Sequence, residues 1–102
     1  MTFKVLKSAG FRIDDIYVWT AQNFGIEQAN SYIRELFDSF EKIERGESFS
    51  KPIPADFGIQ GYYYRFKRHF VYWKYLESGE IGIVTVLHEK MMQISRFQED
   101  VI

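Results

Sequence analysis

No cysteine occurs among the 102 residues, which excludes disulfides, thiolate nucleophiles and cysteine-based zinc sites together. His69 and His88 are the only histidines, so neither a metal nor another cofactor is expected. No window approaches the roughly 18 apolar residues that a membrane span requires. MTFKVLKSAGF also lacks the apolar stretch of a signal peptide, so a soluble, cytoplasmic protein without a membrane partner is expected. An excess of one charge is missing too: 13 basic residues face 14 acidic ones for a net charge of -1. No global field draws such a chain to nucleic acid or to an anionic membrane, and any nucleic-acid contact has to be local. Proline occurs only twice, at Pro52 and Pro54, both inside one stretch.

Aromatic residues are abundant. Ten Phe, seven Tyr and two Trp make 19% of the chain, more flat apolar surface than a domain of this length easily buries. The length fits one domain spanning residues 1–102. TFKVLK alternates as a short half-buried strand, and Ser8 is placed to cap a helix running from Ala9 to Phe24, with Ile13, Ile16, Tyr17, Thr20 and Phe24 at helical spacing. Gly25 then stops that helix. Ile26, Ala29, Ile33, Leu36, Phe37, Phe40 and Ile43 form the stripe of a second helix, and a single glycine between the two implies an antiparallel helical hairpin. Gly46 to Gly61 holds three glycines and both prolines and reads as the one long loop, with no central strand in it. YYYRFK, HFVYWKYL and IGIVTVLH follow as three β-rich runs with very short connections, an antiparallel meander.

The order strand, two helices, three strands predicts an α+β domain, with the helical hairpin on one face of the sheet. In the last strand Ile81, Ile83, Thr85 and Leu87 alternate with Gly82, Val84, Val86 and His88, and both sets are apolar enough to be buried. The second face therefore needs a cover. Either the amphipathic tail folds back as a short C-terminal helix, with Met91, Ile94, Phe97 and Val101 at helical spacing, or a partner docks there.

DIYVWT at Asp15–Thr20, FG at Phe24–Gly25, QANSY at Gln28–Tyr32, HFVYW at His69–Trp73 and IVTVLHEKM at Ile83–Met91, in this order, resemble the ParE branch of the RelE/ParE toxins of type II toxin–antitoxin systems. Relatives usually carry a basic residue where this chain has Tyr62, Tyr63 and Tyr64, and often an Asp at the place of Met92. The resemblance implies a β-α-α-β-β-β fold and a toxin neutralised by a cognate antitoxin, ParD-like or another DNA-binding type. It also implies DNA gyrase as the target, and leaves a homodimer or a toxin–antitoxin hetero-oligomer open. Antitoxin contact is expected at Trp19, Tyr72, Trp73, Val84 and Val86, although Trp19, Phe24 and Tyr32 read first as hairpin packing. Target contact is expected at the basic residues Arg65, Lys67, Arg68, Lys90 and Arg96.

The alternative is a RelE-like ribosome-dependent mRNA endoribonuclease. Cleavage through the 2′-hydroxyl needs a base, a cation for the phosphorane charge and an acid for the leaving oxygen. Arg65 could supply the cation and His88 the acid. Ile53 stands where cutting relatives often have a base, Glu47 lies farther back, and Glu89 occupies the place of a tyrosine common in some cutters. A pI near 6.1 also fits poorly with ribosome binding. His69, at a strand start, reads as structural. A third reading is an inactive homologue that only binds an antitoxin.

Overall fold

The computed structural model describes residues 3–102. Of the expected strand TFKVLK, Thr2 lies outside the described residues and Phe3–Val5 forms β1. The first helix, α1, spans Lys7–Phe24 and begins a little earlier than its apolar spacing suggests. Ser8 is therefore no cap: Leu6 precedes the helix, no side chain caps it, and the Ser8 hydroxyl donates instead to the carbonyl of Asp100. Gly25 alone separates α1 from α2 (Ile26–Glu44). Its φ of +95° is a backbone conformation that side chains disfavour, which lets the chain reverse within one residue.

Both helices lay apolar stripes on one face of a five-stranded sheet of order β1-β5-β4-β3-β2. Strand β2 is only Lys51–Pro52, at the sheet edge where a proline is tolerated. It is followed by a 3-10 turn at Ala55–Phe57. Strands β3 (Tyr62–Phe66), β4 (His69–Tyr75) and β5 (Ile81–His88) form the expected antiparallel meander. β1 joins it in parallel beside β5, so β5 runs between two strands, and Ile81 to Leu87 are all buried.

Simple alternation fails in β5. Tyr72 pairs with Thr85 but Trp73 with Ile83, which makes Val84 the extra residue of a β-bulge and swaps the faces beyond it. Ile81, Ile83 and Val86 join Phe3, Ile13, Leu36, Phe40, Val71 and Trp73 beneath the helical hairpin. Val84 and Leu87 point the other way, into a second cluster with Ile53, Phe57, Tyr72 and Phe97.

The cover of that second face is the tail itself. Gln93–Val101 forms α3. Phe97 is fully buried against the rings of Phe57 and Tyr72, with centroids 5.3 and 5.1 Å away. Polar contacts hold α3 in place. Arg12 of α1 donates two hydrogen bonds, of 2.8 and 2.9 Å, to the Asp100 carboxylate, Thr85 donates a third of 2.9 Å, and the Tyr72 hydroxyl donates to Gln93 at 2.7 Å. Burial pushes the Asp100 carboxyl up, but the hydrogen bonds from Arg12 and Thr85 outweigh it and hold its pKa below the usual range.

Candidate functional site

The turn between β3 and β4 and the end of β5 lie side by side, because Phe66 pairs with His69 and His69 with His88, and the Glu89 amide donates to the Arg68 carbonyl at 2.8 Å. This register gathers Arg65, Lys67, Arg68, His69, His88 and Glu89 at one end of the sheet. Glu89 takes both guanidiniums, Arg65 and Arg68, the second at 3.0 Å. Desolvation pushes the Glu89 carboxyl up, but hydrogen bonds and charge from Arg68 and Arg65 prevail, and its pKa lies below the ordinary value. Lys67 pairs with Glu35 of α2 at 2.7 Å and sits 5.2 Å from the centre of the Tyr32 ring.

His69 is half-buried beneath this layer. Burial, and after it the neighbouring His88, depress its pKa from 6.5 to about 4, so the imidazole is neutral at physiological pH. Its Nδ1 lies 2.7 Å from the Tyr32 hydroxyl. Burial raises the Tyr32 pKa, so the phenol keeps its proton and shares a hydrogen bond with Nδ1. His69 thus joins α2 to the sheet, in keeping with a structural imidazole. The His88 ring stands 5.1 Å from that of His69, nearly perpendicular to it, and its Nδ1 accepts a hydrogen bond from the Lys90 amide at 3.1 Å.

RNA cleavage would need an uncommitted cation and a basic carboxylate or amine near His88. Arg65 and Arg68 instead share one carboxylate, and that carboxylate is a weakened base. Ile53 is buried in the second core cluster, and Glu47 pairs with Arg45 at 3.1 Å. Lys90 is exposed beside the cluster, whereas Arg96 rides on α3 and pairs with Glu99 at 3.3 Å.

The residues expected to meet an antitoxin separate into two groups. Tyr72, Trp73, Val84 and Val86 are all buried, Tyr72 and Val84 beside α3 and Trp73 and Val86 beneath the helical hairpin. None of the four presents surface to a partner while α3 is in place. Trp19 does, at 58% exposure. It packs edge-to-face on Phe24 with ring centres 5.7 Å apart, yet Phe24 is itself 65% exposed, so this pair is surface rather than core. Phe11, Val18 and Ile26 are exposed as well. Phe11, Val18 and Trp19 lie seven and eight residues apart, on the side of α1 away from Ile13 and Thr20. That second stripe was visible in the sequence at helical spacing, but the core stripe obscured it.

The sequence matches the family described as the ParE toxin of type II toxin-antitoxin system, parDE, over residues 4–93. The chain belongs to the ParE toxin family. It is also 29% identical over 91 residues to Toxin ParE1 of Caulobacter vibrioides, covering 87% of this chain and 90% of that protein. The match confirms the resemblance carried by DIYVWT, HFVYW and LHEKM, and membership implies an antitoxin partner. The matched residues end at Gln93, the first residue of α3. Among the described residues, no helix is long and apolar enough to cross a membrane.

Proposed function

We propose that this ParE-family toxin arrests growth by poisoning DNA gyrase, without chemistry of its own, and is neutralised by a cognate antitoxin seated on the outer face of the helical hairpin. The observation that carries the first part is the sharing of Glu89 by Arg65 and Arg68. It fills with an ion pair the position where a nuclease needs a free cation and a competent base. Arg65, Lys67, Arg68, Lys90 and Arg96 serve in this reading as target contacts. For the antitoxin, the support is the exposed group Phe11, Val18, Trp19, Phe24 and Ile26, an apolar surface of the kind that amphipathic segments cover. Only Trp19 is kept from the antitoxin set expected from the sequence.

Purified protein added to gyrase and plasmid is expected to block supercoiling and to accumulate cleaved DNA, while ribosome-bound mRNA stays whole. Cut mRNA with gyrase unaffected would overturn the proposal. A second reading, RNA cleavage, has one observation in its favour: the strand register brings Arg65 and His88 to the same end of the sheet. If RNA cleavage is found, His88→Ala and Arg65→Ala should each abolish it.

A further inference from the structure

A groove of about 600 Å³ runs between the C-terminal half of α2, the loop leading into β2, and β3. It is separate from the exposed face of α1, and its volume lies in the range of ordinary ligand sites. Three cations line it, Lys42, Lys51 and Arg65, of which Arg65 is paired with Glu89; its one carboxylate, Glu47, is engaged by Arg45. Among the described residues, neither Lys42 nor Lys51 has an ion-pair partner, and both are exposed. Lys51 pairs directly across the strands with Tyr63, and Arg65 with Phe70, so cations and rings alternate along the wall. Phe49 stands at the same groove with 97% of its surface in water, a position that no packing requirement explains.

From this arrangement we infer that the groove binds single-stranded nucleic acid, with a backbone phosphate at Lys42 and Lys51 and a base stacked on Phe49. Free ammonium groups neutralise phosphates, and an exposed ring offers a face on which any base can stack. A chain with a net charge of -1 has no field to bind nucleic acid over its whole surface, so the contact has to be a local one of this kind. The inference is independent of the target: it concerns the purified chain alone, and its failure would leave the gyrase proposal untouched.

The test is fluorescence anisotropy of labelled oligo-dT and oligo-U, about ten nucleotides long, titrated with the protein at about 50 and 200 mM salt. Saturable binding of at least one oligonucleotide is expected, with a dissociation constant below about 100 µM at the lower salt. Lys42→Gln with Lys51→Gln removes the one phosphate contact and should flatten the salt dependence by about 0.7 in logarithmic slope. Phe49→Ala should weaken binding about 5- to 100-fold, and at 97% exposure its ring has no packing within the chain to lose. Lys4→Gln, remote on β1 and paired with Glu80, should bind as the parent does. A stronger response to oligo-U than to oligo-dT, abolished by the same substitutions, would uphold the site and show that it reads the 2′-hydroxyl. No saturable binding, equal binding by the lysine and Phe49 variants, or an equal loss with Lys4→Gln would overturn the inference. Saturable binding of an extended acidic peptide, with none of either oligonucleotide, would overturn it as well and assign the groove to a protein partner.

Discussion

Replacing His69 by glutamine should flatten the pH dependence of stability between neutral pH and about 4. In the folded protein, burial holds His69 neutral down to about 4, whereas the unfolded chain takes up its proton near 6.5. Across that window the unfolded state binds more protons, so stability falls as the pH falls and rises again as it is raised. A difference of this size corresponds to about 3 kcal/mol for a fully enclosed group. Because His69 is only half-buried, solvent screening reduces the expected contribution to about 1–2 kcal/mol. Glutamine can accept from the Tyr32 hydroxyl through Oε1 or donate to it through Nε2, so the joint between α2 and β4 is kept while the titration is removed. Glu89 and Asp100 have depressed pKa values, so the stability they contribute is lost at lower pH, and equally in both proteins. Urea denaturation at a series of pH values, read by the fluorescence of buried Trp73, measures the difference. Parallel stability curves for parent and variant from pH 7 to 4 would refute the argument.

Phe97→Ala should destabilise the fold by about 3–5 kcal/mol, because its ring fills the space between Phe57 and Tyr72; increased binding of a hydrophobic dye would show the second sheet face opening. Arg12→Met leaves the Asp100 carboxylate, only 14% exposed, with the Thr85 hydroxyl and no directly bonded cation, at a cost of about 2–3 kcal/mol in chemical denaturation. Adding Asp100→Asn to that variant should recover part of the loss. Gly61→Ala should cost about 1–3 kcal/mol, since a Cβ there would stand 2.7 Å from the Trp73 carbonyl oxygen. Gly10→Ala, inside α1 with nothing within 4 Å of the added atom, should instead raise stability by about 0.5–1 kcal/mol.

What local pattern determines was legible. The apolar stripe of α2, the stop at Gly25 and the three strands after Gly61 follow from spacing and turn chemistry within a few residues. What depended on pairing at a distance was not. The bulge at Val84 arises from the register of β5 against β4, which alternation within one strand cannot reveal. Ser8 resembles a cap in sequence, but its partner is a carbonyl at Asp100, close only in the folded chain. The positive cluster Arg65, Lys67 and Arg68 was plain to see, yet its chemistry is set by Glu89 and Glu35, carboxylates 21 to 32 residues away. Ile26 and Phe24 fell on helical stripes but emerge at the hairpin tip, beyond the edge of the sheet that would have buried them.

The position of α3 also decides which surface an antitoxin can reach at least cost. A partner seeking Tyr72 or Val84 has to lift α3 away, which forfeits the burial of Phe97, worth about 2–3 kcal/mol by area, together with the charged hydrogen bonds of Asp100, about 1.5–3 kcal/mol each. Those losses are comparable with a large part of the stability of a domain this size. The stripe of Phe11, Val18 and Trp19 is already in water, so a partner gains apolar burial there without breaking any contact within the chain. A docking face that carries none of the chain's own core leaves the fold intact whether or not a partner covers it.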